Sequence, residues 1–362
     1  MRTSQRSNKP AISRRSALAV LTGAAAILAP RGGIAQNSSG VGKYLTVDGN
    51  RIYYEERGRG IPIVIAAGGQ NRLETLRPLA EKLAAKYRVI TWDRANLGRA
   101  DLVFKGARDL DLWTDQLAGL LEQLNARPAY LVGASSGARV AYVMALRYPD
   151  YARGVFTFLT TGGGTIGESL AKQYYFDYAD LAEKDGMAAV AKTPFWAERI
   201  ALNSSNSERL LAMDPHEFAR VMRRWGKAMR SNPDVVIGIT ADELRQIKAN
   251  GTPVGIIQGC PTAPQHRRDR SELYAQLTGA TLIPTPDGYC EQGTEGASFD
   301  KLMLHPEVPE SKPFRAYEMV TNVPPIIDDF IAKTEARYKA AGLGPAATSL
   351  AAKTEKSVAA PY

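Results

Sequence analysis

A serine flanked by small residues stands between two contrasting segments of the chain. Residues 133–137 read GASSG, which fits the pattern G-x-S-x-G around Ser135. The apolar run AYLVGA predicts a buried strand before it, and ARVAYVMALRYP predicts a helix after it. A tight strand-to-helix turn would expose the Ser135 hydroxyl as a nucleophile. The alternative is a structural turn that requires small residues for packing alone.

Three histidines could activate this serine, because a hydroxyl needs a neighbouring base to attack a carbonyl carbon at neutral pH. His305 lies in the long stretch after the last predicted strand, His266 follows the strand TPVGIIQG, and His216 lies in a helical region. The candidate acids are Asp269 and Asp287. A site with no histidine base is the remaining alternative.

The elements around Ser135 alternate between strands and helices over residues 44–160 and again over residues 251–335. This alternation predicts an α/β fold with a mostly parallel sheet covered by helices on both faces. Two β-rich runs separated by DGN predict an antiparallel hairpin at one edge. Residues 161–250 read as helical and rich in aromatic side chains, and residues 341–362 predict a disordered tail.

The first 35 residues read as an export signal. Paired arginines in SRRSALAV precede the thirteen uncharged residues 17–29, and GGIA offers small residues before a cut after Ala35. The segment resembles a twin-arginine signal, and an ordinary secretory signal is the alternative. We therefore expect export, to a bacterial periplasm, with no stable membrane anchor after cleavage.

These motifs together are similar to the α/β-hydrolase superfamily, over roughly residues 44–335. The GASSG turn matches its nucleophile elbow, AAGGQN stands where the family carries the start of its oxyanion loop, and DRANLGRAD is similar to its Asp-Arg-x-Gly-x-Gly-x-Ser loop. The helical insertion 161–250 occupies the place of the family's cap. The resemblance implies a serine hydrolase whose oxyanion is held by the backbone amides of Ser136 and of Gly69 or Gln70.

Two expected partners of the nucleophile depart from the family pattern. The turn that usually carries the acid reads GCPTAPQH, with no carboxylate before Asp269. The usual Gly-His after the last strand reads PDGYC, with Tyr289 in place of histidine. Because His305 preserves the family order of serine, acid and histidine, we place it before His266 as the candidate base. A mechanism through Tyr289 is the other alternative.

The two cysteines follow the strands that normally lead to the acid and the base. These strands are neighbours in the family's sheet, so a disulfide between Cys260 and Cys290 would join the two loops. An oxidising compartment favours this pairing. Two separate thiols are the alternative.

The net charge of the chain argues against a nucleic-acid partner. The formal charge of +9 includes six basic residues and no acid within residues 1–35, so removal of that segment leaves +3. We therefore expect no nucleic-acid binding. We expect no metal and no cofactor, and a small organic substrate under the cap.

The sequence predicts hydrolysis of an ester, an amide or a related carbonyl compound through an acyl-enzyme on Ser135. The alternatives are ligand binding without a working triad and non-hydrolytic chemistry.

Overall fold

The computed structural model describes residues 42–230, 236–259, 266–285 and 322–350. These residues form an eight-stranded sheet in the order β1-β2-β4-β3-β5-β6-β7-β8. Strand β2 pairs antiparallel with β1 and β4, and every later pair is parallel. The strands are β1 (Lys43–Val47), β2 (Asn50–Arg57), β3 (Pro62–Ala66), β4 (Arg88–Trp92), β5 (Ala129–Ala134), β6 (Ala152–Phe158), β7 (Val254–Ile257) and β8 (Thr281–Ile283).

Twelve α-helices lie within the described residues. They are α1 (Arg77–Leu83), α2 (Asp109–Gln123), α3 (Ser136–Arg147), α4 (Gly164–Ala171), α5 (Asp177–Asp185), α6 (Met187–Lys192), α7 (Pro194–Leu202), α8 (Ser205–Leu211), α9 (Pro215–Arg230), α10 (Ala241–Ala249), α11 (Arg268–Thr278) and α12 (Val323–Ala340). A π-helical segment, Lys172–Phe176, joins α4 to α5.

The sheet separates two apolar cores, because the central strands are buried on both faces. Helices α1 and α12 cover one face, with Leu79 and Ile327 among its buried side chains. Helices α2 and α3 cover the other face, with Leu117 and Val143 among its buried side chains. Strand β5 is buried along its whole length, as its apolar sequence predicts. The predicted α/β fold with helices on both faces is confirmed.

Helices α4 to α10 form the insertion that the sequence places between two parts of the sheet. Buried amide side chains attach it to the loop after β4. The Asn206 side chain accepts from the Leu102 amide at 3.0 Å and donates to the Ala100 carbonyl at 3.1 Å. We call the part of the chain from α4 to α10 the cap.

Residues 341–350 differ from the predicted disordered tail. The buried Arg153 guanidinium donates to the carbonyls of Pro345 and Ala347 at 2.5 and 2.9 Å. The Leu350 amide donates to the Gly251 carbonyl at 2.9 Å. These contacts are made to backbone carbonyls, which every residue type has, so the composition of this stretch does not predict them. Residues 351–362 lie outside the described residues.

Two glycines allow α3 to start against the sheet. A Cβ at Gly137 would overlap the Ala66 carbonyl at the end of β3, and a Cβ at Gly133 would overlap the Gly137 backbone. These neighbours are main-chain atoms on both sides of the turn, so neither can move aside cheaply. The glycines of GASSG are therefore required by close backbone approach.

We predict that Gly137→Ala destabilises the protein by about 3 kcal/mol, because the added methyl group must displace β3 or α3. Gly167→Ala is the matched control, since an added Cβ in α4 meets only ordinary van der Waals contacts and alanine favours a helix. Urea unfolding of both variants measures the difference. Equal stabilities of Gly137→Ala and wild type would contradict the packing described here.

Candidate active site

Ser135 lies between β5 and α3 in a strained backbone conformation. Its φ of 51° and ψ of −115° fall in a region that residues other than glycine rarely adopt. The Ser135 amide donates to the Phe158 carbonyl at 3.1 Å, and the Ala138 amide donates to the Ser135 carbonyl at 3.0 Å. These bonds hold the turn from both sides, so the direction of the side chain is fixed.

Of the two histidines among the described residues, His266 contacts Ser135. Its Nε2 lies 3.2 Å from the Ser135 Oγ, and its ring is buried. The residue precedes α11, in the connection from β7 to β8. His216 is exposed in the first turn of α9, within the cap. His305, which the sequence analysis places first, lies outside the described residues.

Burial lowers the pKa of His266 from 6.5 to about 3. A charged imidazolium loses its hydration in this position, so the neutral ring is favoured. Only a neutral imidazole has a ring nitrogen that can accept a proton from a hydroxyl. His266 is therefore in the protonation state that a general base needs throughout the neutral range.

Asp269 is directed at arginines on the surface. Its carboxylate accepts from the Arg267 guanidinium at 2.9 and 3.2 Å and lies 3.6 Å from Arg270. These pairs hold the pKa of Asp269 below its usual value, with the hydrogen bond from Arg267 as the largest cause. The structure thus gives this predicted acid a surface ion-pairing role at the start of α11. Asp287, Tyr289 and the predicted Cys260–Cys290 pair lie outside the described residues.

The two predicted oxyanion residues follow neighbouring strands: Gly69 follows β3, and Ser136 follows β5 by way of Ser135. Ser136 is the first residue of α3, where backbone amides have no intrahelical acceptor. Gly69 follows β3 and has a φ of 51°, which glycine adopts without a steric penalty. Both residues therefore lie at the carboxyl edge of the sheet, where parallel strands β3 and β5 end side by side.

Arg94 connects these two residues and was not singled out from the sequence. Its Nη2 donates to the Gly69 carbonyl at 2.9 Å, and its Nη1 donates to the Ser136 Oγ at 3.2 Å. The guanidinium stacks on the Trp113 ring with 4.5 Å between its central carbon and the ring centroid. Burial lowers the pKa of Arg94 to about 10, so the group stays charged at neutral pH. In the sequence, the feature that marks Arg94 is its place as the first arginine of DRANLGRAD.

Two further buried ionisable side chains, Asp93 and Arg199, fix the loop that follows β3. The Asp93 carboxylate accepts from the amides of Leu73 and Arg99, each at 2.9 Å. Its burial raises the pKa of Asp93 to about 7. From the cap, Arg199 donates to the Gln70 carbonyl at 3.0 Å. The loop 68–73 is thus held by the core and by the cap, which keeps its backbone amides in fixed directions.

Thr161 is a second side-chain neighbour of the nucleophile. Its Oγ1 lies 2.9 Å from the Ser135 Oγ, and either oxygen can be the donor. The residue follows β6 and is buried. No motif marks it in the sequence, because it reaches Ser135 only through the pairing of β6 with β5.

The aromatic side chains of the cap pack mainly against one another. Trp196 forms edge contacts with Tyr178, Phe195 and Phe218. Tyr174 lies nearer the site, with its hydroxyl 3.6 Å from the position of a Cβ on Gly69. Most of this cluster is therefore the interior of the cap.

Within the described ranges, no group of three or more His, Cys, Asp or Glu side chains is arranged to hold a metal ion. None of the helices described combines the length and apolar composition that a membrane crossing requires.

Comparison with known proteins agrees with this geometry. The family model described as "Alpha/beta hydrolase family" matches residues 63–292, which is more than half of the chain. The chain belongs to this family. The matched range of this α/β hydrolase includes the elbow at Ser135, the loop after β3 and the cap.

Curated relatives match part of this α/β hydrolase. It is 30% identical over 121 residues to 2-hydroxymuconate semialdehyde hydrolase of Pseudomonas sp., covering 33% of this chain and 43% of that protein. It is 34% identical over 149 residues to 2-hydroxy-6-oxononadienedioate/2-hydroxy-6-oxononatrienedioate hydrolase of Burkholderia vietnamiensis, covering 38% and 49%. The chain thus spans less than half the length of these relatives.

A solved structure supports the fold over a larger share of the chain. A thermophilic esterase from Thermogutta terrifontis has a TM-score of 0.50 and 18% identity, and covers 82% of this chain and 99% of that chain. At this identity the similarity concerns the fold alone.

We predict that the His266 ring stays neutral when the pH is lowered from 8 to 5. NMR titration of histidine ring resonances measures this, with the His266 signal identified by its loss in His266→Gln. A midpoint between pH 6 and 7 for that signal would contradict the effect of burial.

The same pKa has a consequence for stability. The unfolded chain takes up a proton at His266 near pH 6.5, whereas the folded protein resists it down to about pH 3. The contribution to stability is fully present above pH 6.5 and is lost as the pH falls toward 3. The decrease in unfolding free energy from pH 7 to pH 5 should therefore be smaller in His266→Gln than in wild type.

Proposed function

We propose that this chain is an exported serine hydrolase that cleaves an ester, amide or related carbonyl substrate through an acyl-enzyme on Ser135. The observation that carries the proposal is the 3.2 Å contact between the Ser135 Oγ and the Nε2 of neutral His266, at a strained strand-to-helix turn. Nucleophile and base lie within the range that proton transfer requires.

Acylation begins when the Ser135 Oγ attacks the substrate carbonyl carbon and its proton passes to the His266 Nε2. The carbonyl oxygen becomes an oxyanion, which the amides of Ser136 and of Gly69 or Gln70 would hold. The bond to the leaving group then breaks, and His266 returns the proton to that group. Water, deprotonated by His266, then attacks the acyl carbon. When the acyl–oxygen bond breaks, His266 donates this proton to the Ser135 Oγ, and the acid is released.

The positive charge of Arg94 supports an oxyanion at this place. The guanidinium is fully buried and bonded to both proposed oxyanion residues, Gly69 and Ser136. In a site with little water a nearby cation stabilises developing negative charge more strongly than in solution. Because a trans peptide directs its C=O and N–H in opposite directions, the bond from Arg94 to the Gly69 carbonyl points the Gln70 amide away from Arg94.

The proposal of export rests on the sequence of residues 1–35, with paired arginines, an uncharged segment and small residues before Ala35. The names of the two curated relatives describe hydrolases, which agrees with hydrolytic chemistry. The small organic substrate would reach Ser135 under the cap.

A fluorophosphonate probe tests the nucleophile and the base together, because its phosphorus loses fluoride to an activated serine oxygen. We expect covalent labelling of wild type that Ser135→Ala abolishes. His266→Gln should lower the labelling rate by about 100-fold or more, since general-base catalysis contributes that much. Mass spectrometry of the labelled peptide and the rate of labelling are the measurements.

Three controls separate the alternatives. His216→Gln should label as fast as wild type, because the His216 ring is exposed on the cap. Asp269→Asn should do the same, because the Asp269 carboxylate pairs with surface arginines. A large loss in His305→Gln with little loss in His266→Gln would overturn the base assignment. Absence of label on wild type between pH 6 and 9 would overturn acyl transfer and favour ligand binding or non-hydrolytic chemistry.

A further inference from the structure

Among the described residues, two polar side chains contact the Ser135 Oγ, and the proposed function uses one of them. His266 contacts it at 3.2 Å and Thr161 at 2.9 Å. All three side chains are at least nine-tenths buried. Bulk water therefore has little access to these side chains, and their polar hydrogen atoms bond mainly to one another.

The position of Thr161 is fixed by its backbone and by its side-chain type. The Tyr274 hydroxyl, buried on α11, donates to the Thr161 carbonyl at 3.1 Å. Leu159, two residues earlier, has a φ of 53°, so the chain leaves β6 in a strained turn that directs Thr161 toward the elbow. A β-branched side chain also has few χ1 choices. The hydroxyl of Thr161 is thus held beside Ser135.

Two arrangements join these groups by hydrogen bonds that all run in one direction. In the first, His266 Nε2–H donates to Ser135, Ser135 donates to Thr161, and Thr161 donates to the Leu159 carbonyl at 3.5 Å. In the second, Thr161 donates to Ser135 and Ser135 donates to the bare His266 nitrogen. Only the second has the serine proton directed at a base.

The two arrangements share the contacts of 2.9 and 3.2 Å and differ in the acceptor of the Thr161 proton. In the first that proton spans 3.5 Å to the Leu159 carbonyl, at the outer limit of a hydrogen bond, whereas in the second it is donated across 2.9 Å to the Ser135 Oγ. The shorter distance favours the second arrangement. A donor on the Ser135 Oγ stabilises the negative charge that grows on this oxygen as its proton leaves. Such stabilisation of the Ser135 oxygen is important here, because burial makes His266 a weak base.

We propose that Thr161 is a catalytic residue that donates a hydrogen bond to the Ser135 Oγ while that oxygen attacks the substrate and again while it leaves the acyl-enzyme. The proposal rests on the proposed function, since it concerns the same nucleophile. The Thr161 proton stays on Thr161 throughout. In acylation the Ser135 proton moves to His266 and then to the leaving group. In deacylation His266 takes a proton from water and donates it to the Ser135 Oγ when the acyl–oxygen bond breaks.

Two substitutions at this position separate the hydroxyl from the shape of the side chain. Thr161→Val keeps the branched shape and removes the donor, whereas Thr161→Ser keeps the donor. Thr160→Val is the matched control, because the neighbouring Thr160 is also buried and its hydroxyl has no hydrogen-bond partner among the described residues. Thermal unfolding of each variant shows whether the fold is retained.

The measurement is the rate of fluorophosphonate labelling at Ser135, separated into probe affinity and the first-order rate of bond formation. We expect Thr161→Val to lower the first-order rate by ~10- to 100-fold with unchanged probe affinity, the size of effect that a hydrogen bond to a charged group supports. Thr161→Ser should stay within about 3-fold of wild type, and so should Thr160→Val. A loss of packing alone would not be rescued by serine.

Two results would overturn the role of Thr161 and leave the proposed function intact. One is labelling of Thr161→Val at the rate of Thr160→Val; the other is an equal loss in Thr161→Ser and Thr161→Val. Absence of label on wild type would overturn the role of Thr161 together with the proposed function, since no activated Ser135 would exist to be assisted.

Discussion

The strained backbone at Ser135 is the constraint on which the site depends. A non-glycine residue is held at φ 51° between β5 and α3, which approach so closely that a Cβ at Gly133 would overlap the Gly137 backbone. The free energy of this strain is offset by burial of the strand and the helix on either side, both of which belong to the cores. As a result the hydroxyl stands at the carboxyl edge of the sheet, within reach of residues from three other segments.

Those segments meet because of the strand order. The parallel strands β3, β5, β6 and β7 are neighbours, so the chain leaving each of them arrives at the same edge. Gly69 comes from the first, Ser135 from the second, Thr161 from the third and His266 from the connection after the fourth. Buried ionisable side chains then fix the loops: Arg94 donates to the Gly69 carbonyl, and Asp93 accepts from the Leu73 amide. The site is thus rigid through main-chain contacts, which suits stabilisation of a developing charge.

The sequence was informative where the physical cause is local. Strand, turn and helix around Ser135 follow from neighbouring residues, because apolar runs and small residues set them directly. His266 could be offered only as one of several histidines, since 131 residues separate it from Ser135 and tertiary pairing alone brings them together. Thr161 carries no motif. Arg94 belongs to DRANLGRAD, but only the tertiary structure shows that its side chain contacts both Gly69 and Ser136. Asp269 was a candidate because of its place in the chain, whereas the adjacent arginines direct its carboxylate to the surface.

The most direct test of the Ser135–His266 site is a crystal structure of the fluorophosphonate adduct. The account predicts phosphorus bonded to the Ser135 Oγ, a phosphoryl oxygen about 3 Å from the Ser136 amide, and the His266 Nε2 within hydrogen-bond distance of the Ser135 Oγ. Phosphorus on another residue, a phosphoryl oxygen directed away from the first turn of α3, or another base in place of His266 would contradict it.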